Sequence, residues 1–577
     1  MMKASGLLIS AAIAVGVAAG QTPAVNLVTV RLATVQPATA QPVTIEVNLA
    51  RPVGSYKPIT NWFGYDESNY TTMPFGEQLL GELHALSAGP VTIRTHHLLT
   101  SGNGVPELKW SSSNVFRLDE NGKPVYDFTI TDQTFDAFER AGVRPMVELG
   151  FMPKDLAATV PGISAYQLHY PAHTMGGSSN NPPKDYKMWG ELVRRYTAHL
   201  VERYGRERVS TWYFEVWNEP DIDYWHGTPT EYFKLYDYAV AGVRAALPGA
   251  KVGGPASTGP TSARASAFLE SFLEHCLHDK SAADGGRVPL DFISFHPKGS
   301  PVLIDGHVRM GISRELQAAE TGFQIVARHP ELRRVPIILS EADPEGCAAC
   351  SAKENPANAY RNGPLYAAYT ATAVKALFDL EDKSHVNLLA MLSWSFEFEN
   401  AGYFEGYRTL ATHGIDKPIL NLFRMTGLMG GERVMTTSTG AVPLEELVKT
   451  GVRAAPDVDG FATRLEHGAA VMVWNYHDDD LAAPDAEVQV TFKGIPPGVK
   501  RVQIEHYRID ETHSNAFTAW KKMGSPQAPT AEQYAQLKTA GQLQLLSSPE
   551  WLEVAGGKVS VEMALPRQAV SLLRLEW

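Results

Sequence analysis

Eight short apolar segments recur between residues 61 and 394, and helix-patterned stretches separate most of them. The segments are 61–65, 91–95, 146–150, 211–217, 251–254, 291–295, 335–339 and 388–394. Residues 76–86, 184–204, 229–247, 265–277, 314–328 and 363–378 carry the apolar spacing of helices. Strands that alternate with crossover helices lie parallel in one sheet. Eight is the number at which such a sheet closes into a (β/α)8 barrel, the TIM barrel. A doubly wound open sheet is the alternative, but the glycine-rich fingerprint that such sheets often carry is absent. The fold class is α/β, with the barrel over 59–430.

Past residue 430 the texture changes. Short alternating segments at 469–474, 487–492, 501–505 and 569–575 predict a C-terminal all-β sandwich over 431–577, with one helical insert at 530–539. Residues 43–47 also alternate, and the stretch 44–58 is expected to add a strand to that sandwich. At the start, Lys3 precedes an apolar run rich in alanine and glycine, and small residues follow it. This is the pattern of a signal peptide over 1–20, with 21–43 as a linker. No later stretch reaches the ~18 uncharged apolar residues of a membrane span. An exported protein, periplasmic or secreted and free of the membrane once the signal is removed, is expected.

Lys plus Arg number 51 against 63 Asp plus Glu, a formal charge of −12, which argues against a nucleic-acid partner. Three cysteines are too few for a disulfide-built scaffold. Cys347 and Cys350 are three positions apart; a short disulfide in an exported loop, a redox pair and part of a metal site are the readings open to them. Cys276, on a helix, is expected to be buried.

In a barrel, reactive groups sit where strands end at the C-terminal mouth. Glu219 follows the fourth strand and Glu341 the seventh, so a closed barrel sets both at one mouth. Two carboxyls about 5–5.5 Å apart are what a retaining glycosidase needs. One holds a proton for the leaving oxygen, and the other stays ionised and attacks the anomeric carbon. The non-chemical reading is a pair of salt-bridged rim residues. Carbohydrate binding without catalysis is the alternative of a different class, and two intact carboxyls argue against it.

Trp217, Asn218, Glu219 and Pro220 taken with Glu341 resemble the clan of barrel glycosidases that carry the acid/base on strand four and the nucleophile on strand seven. More narrowly, the chain resembles glycoside hydrolase family 39, which holds β-xylosidases and α-L-iduronidases. The resemblance rests on 93–99, 150–153, 213–220, 292–299, 340–346, 414–418, 513–515 and 520–524. It implies Glu219 as acid/base, Glu341 as nucleophile, Asn218 on the sugar 2-hydroxyl, and His96 lining the −1 subsite. His296, ending the sixth strand, is a second candidate for that lining.

Lys298 bears on the sugar. It resembles the lysine with which the iduronidase branch meets a substrate carboxylate, yet β-xylosidase-like sequences share it, and pairing with Asp343 or Glu345 is the structural alternative. A β-D-xylosidase acting on xylo-oligosaccharides is the leading reading, and a uronic-acid glycosidase the second. Trp394 is a candidate floor of the subsite, with barrel packing as the alternative. Glu397 or Glu399 is a candidate to bind sugar hydroxyls or to hold Arg408. The carboxylate mechanism needs no metal and no cofactor. The expected partner is an oligosaccharide; transglycosylation would use the same residues, and oligomeric state is not readable.

Overall fold

The computed structural model describes residues 41–166 and 177–577. The expected signal peptide and residues 21–40 of the expected linker lie outside the described residues.

The barrel strands are Trp62–Tyr65, Thr92–Thr95, Arg144–Leu149, Tyr213–Val216, Lys251–Thr258, Phe292–His296, Pro336–Leu339 and Asn387–Met391. They pair in chain order, and every ladder is parallel. The eighth strand breaks at Leu392, and its continuation Ser393–Trp394 pairs with Phe63 and Gly64 of the first, which closes the ring. Closure lays the Trp394 ring over Gly64, where a Cβ would stand 2.4 Å from it; no larger residue fits.

A helix follows each strand: Pro74–His84, Thr129–Ala141, Tyr186–Tyr204, Pro229–Ala246, Ala263–His278, Ile312–Ala327, Pro364–Ser384 and Pro418–Gly427. Four of them open on proline, whose missing N–H is no loss at a helix start. Thr228 caps Pro229–Ala246 in a reciprocal capping box with Glu231. Two helices are absent from the sequence-based expectation. Thr129–Ala141 turns Thr131, Thr134, Phe135, Ala137 and Phe138 inward as one face. Pro418–Gly427 is only ten residues long and is buried at every position but Arg424 and Gly427.

The β-domain comprises Val43–Ser55, Glu432–Ser438, Asp457–Leu465, Gly468–Tyr476, Ala486–Lys493, Arg501–Ile509, Lys558–Leu565 and Val570–Glu576, with two short strands at the edge. Its hydrogen bonding is unbroken, so the two layers of the sandwich are halves of one sheet. Val488, Val490 and Phe492 from one half share a core with Val502, Ile504 and Leu573 from the other. The opposite face of Gly468–Tyr476 packs Met472, Trp474 and Tyr476 into the barrel core. This strand is buried at all nine positions, which explains why 469–474 is apolar throughout rather than alternating.

Val43–Ser55 joins the halves. It runs antiparallel to Glu432–Ser438 and parallel to Ala486–Lys493, with Ile45, Val47 and Leu49 in the shared core. Val47→Asp would bury an unpaired carboxyl there, at a cost of about 3 kcal/mol or more. The expected result is a Tm lowered by several degrees with kcat of the folded fraction unchanged, read by thermal unfolding beside a rate assay.

Candidate active site

The ends of the barrel strands converge on one buried guanidinium. Arg94, on the second strand, is fully buried. Its Nε donates to Glu215 at 2.5 Å, Nη2 lies 2.8 Å from Glu148 and 3.0 Å from Asn218 Oδ1, and Nη1 reaches Glu341 at 3.2 Å. The Trp394 ring lies 4.9 Å from the guanidinium carbon. His96 sits beside it, with Nδ1 2.5 Å from Asp66 and Nε2 3.0 Å from Glu148. Burial alone would discharge His96, but Glu148 and Asp66 outweigh it and hold the imidazole protonated well above its ordinary range.

Glu341 follows the seventh strand. Lys298 Nζ is 2.7 Å from its Oε2, and Arg94 and His96 face its Oε1. Burial would raise this carboxyl, but the charges of Lys298, Arg94 and His96 hold it well below the usual carboxylate range. Glu219 has the opposite surroundings. Burial first, then the charge of Glu341, pushes it up to about 8. Its Oε1 is 2.9 Å from His296 Nδ1, and the other ring nitrogen meets the Ser340 hydroxyl at 3.0 Å. Burial depresses His296 to about 3, so this imidazole is neutral. One oxygen of each carboxyl and a nitrogen of His296 lie within 4.8 Å of one another. That spacing would also suit a metal ion, but Lys298 and Arg94 already bring positive charge to Glu341.

The fold thus gathers Glu219, Glu341, Asn218, His96, His296, Lys298 and Trp394. Trp394 is only 2 % exposed, with its ring 4.3 Å from that of His96. His296 is 1 % exposed and bonded to Glu219 and Ser340, so it is a partner of the carboxyl rather than an open rim residue. Lys298 pairs with Glu341 and, at 3.5 Å, with Asp343. Glu397 stands apart from the group: it accepts the Gly414 N–H at 2.7 Å, and burial pushes it up to about 8. Glu399 accepts the Phe75 N–H. Neither holds Arg408, which is bound by Glu345, the Trp394 carbonyl and, at 3.6 Å, Asp343.

Cys347 and Cys350 form a disulfide in the loop after Glu341. The Arg361 guanidinium ties both cysteine carbonyls and Glu345, so the loop is held by charge-assisted hydrogen bonds as well. Cys276 is buried and free.

Sequence reasoning missed Arg94, Asp66, Glu148, Glu215 and Ser340. The signal was there for three of them: Arg94, Glu148 and Glu215 are charged residues in the interior of strands that are buried at those positions. Such positions stay charged in a core only when paired.

A parallel barrel with two carboxyls of opposite proton affinity at its C-terminal mouth defines a barrel glycosidase. The chain belongs to the glycosyl hydrolases family 39, whose model matches residues 93–548. A β-xylosidase of Caldicellulosiruptor saccharolyticus is 29% identical over 470 residues, covering 79% of this chain and 85% of its own. Human α-L-iduronidase is 29% identical over 421 residues, 67% of this chain and 60% of its own. Among solved structures, a monomeric β-xylosidase of Caulobacter crescentus superposes with a TM-score of 0.72 at 21% identity, over 92% of this chain and 99% of that one.

Proposed function

We propose that the protein is a retaining, exo-acting β-D-xylosidase that releases xylose from xylo-oligosaccharides. One observation carries the mechanism: two carboxyls within 4.8 Å, one raised to about 8 and the other held well below its ordinary range. In the first step Glu341 attacks the anomeric carbon, and the glycosidic C–O bond breaks as Glu219 gives its proton to the leaving oxygen. In the second, Glu219 as carboxylate takes a proton from water, whose oxygen displaces Glu341 and regenerates both groups. His296 Nδ1–H donates to one oxygen of Glu219 and leaves the proton on the other, toward the substrate. Arg94 occupies Asn218 Oδ1, so the Asn218 amide is free to donate to the sugar 2-hydroxyl. His96 and Lys298 line the subsite through the carboxylates they pair.

The β-xylosidase relative supports xylose, and the pairing of charges supports a neutral sugar. Lys298 is matched by Glu341 and Asp343, Arg94 by Glu215 and Glu148, and His96 by Asp66 and Glu148. A uronide is the second reading, favoured by the Lys298 ammonium beside the two carboxyls and by the iduronidase relative. Export is supported by the apolar N-terminal run and by the disulfide, which suits an oxidising compartment. Among the described residues no helix is long and apolar enough to cross a membrane.

Nitrophenyl β-D-xyloside set against α-L-iduronide and glucuronides tests the sugar. Turnover of the xyloside with the uronides at least about 100-fold slower is expected, the size of discrimination pocket contacts supply. Faster uronide turnover would replace xylose and make Lys298 the reader of the carboxylate.

A further inference from the structure

The main chain around Glu219 is held in an unusual shape. Trp217, Glu219 and Ala256 have φ of 73°, 45° and 50°, a left-handed region that L side chains rarely adopt. Such backbone persists only where its surroundings over-determine it. Here the surroundings are the fifth strand. A register break between Pro255 and Ser257 leaves the Ala256 carbonyl to accept the Glu219 N–H at 2.8 Å, while the Ala256 N–H donates to Ser294 Oγ at 3.0 Å. Two residues beyond Glu219, the buried Asp221 carboxylate grips the end of the same strand. Its Oδ1 accepts the Thr258 N–H at 2.8 Å, and its Oδ2 accepts the Thr258 hydroxyl at 2.5 Å.

We propose that Asp221 and Thr258 are positioning residues for proton transfer: their two-point clasp, with the Ala256 carbonyl, fixes the strained segment that carries Glu219 and so sets where its proton is presented. This rests on the reading of Glu219 as proton donor. The clasp makes no hydrogen bond to the reacting carboxyls, and it joins two strands that end at one mouth. The Asp221 charge adds to those that raise Glu219, a contribution that Thr258→Val leaves in place. Loss of either partner lets the segment relax toward ordinary backbone angles and draws Glu219 away from the glycosidic oxygen, while Glu341, on the seventh strand, stays in place.

That asymmetry gives a readout that general loosening would not produce. Asp221→Ala and Thr258→Val are compared with wild type and Glu219→Ala on alkyl and 2,4-dinitrophenyl glycosides of the sugar turned over. Glycosylation of Glu341 needs a proton donor for the first leaving group and none for the second. Both clasp variants are expected to lose about 10- to 100-fold in kcat/KM on the alkyl glycoside, the scale of a small misplacement, and no more than about threefold on the dinitrophenyl one. Thr258→Ser, which keeps the hydroxyl, should restore the alkyl rate. Equal losses on both substrates, or no loss on the alkyl glycoside, would overturn the proposal. Thermal unfolding identifies folded variants; if Asp221→Ala does not fold, Thr258→Val, which removes only the hydroxyl contact, decides. Should Glu219→Ala itself lose both substrates equally, the proton-donor reading fails and the clasp proposal falls with it. A leaving-group-selective loss in Glu219→Ala alone would keep that reading and reject the clasp.

Discussion

Glu341→Ala is expected to lower kcat by about 10⁴- to 10⁶-fold on every substrate, whatever the leaving group, the scale seen when a nucleophile is removed. Bond breaking without a nucleophile leaves an oxocarbenium-like centre unsupported, and neither Arg94 nor Lys298, both cationic, can stabilise it. The variant also removes the carboxylate that these two cations and His96 surround, so an anion should find the vacated space. Added azide with a dinitrophenyl β-glycoside should restore part of the rate and give the α-glycosyl azide, because attack comes from the face Glu341 occupied. The β-azide, or no rescue with an unimpaired fold, would remove Glu341 from the nucleophile's role.

Glu219→Ala should separate substrates by leaving group. About a 10²- to 10⁴-fold loss is expected where the leaving oxygen needs a proton, the range general acid catalysis supplies, and a much smaller loss of the bond-breaking step on dinitrophenyl glycosides. The pH profile carries a second signature. Glu219 must be protonated to act, so wild-type kcat/KM should fall as pH rises through about 8, the value to which burial and Glu341 push it. Glu341 must be ionised, so the acid limb should lie well below the ordinary carboxylate range. In Glu219→Ala the alkaline limb should disappear and the acid limb remain. Glu341→Gln removes the neighbouring charge that raises Glu219, and should move its carboxyl downward when titrated by carbon-13 NMR. An alkaline limb that survives Glu219→Ala would assign it to another group.

The strand alternation between residues 61 and 394 determined the barrel, because period and spacing are local properties that chain sequence records directly. Barrel topology then brought Glu219 and Glu341 to one mouth, since both follow strands that end there. The alternating segments after residue 430 announced the β-domain in the same way. What sequence left undecided depends on which side chains face one another. The neutrality of His296 and the protonation of His96 follow from their partners: two histidines at the ends of barrel strands differ because one meets Asp66 and Glu148 and the other lies buried against Glu219 and Ser340. Glu397 reads like a mouth residue in the chain, yet it turns to the Gly414 amide. Arg94 is one charged letter in a short strand until the closed barrel sets Glu148, Glu215, Asn218 and Glu341 around it. Electrostatic environment falls off over a few ångströms and joins residues far apart in the chain. Only the tertiary structure places them within that range, and so only it decided which carboxyl keeps its proton.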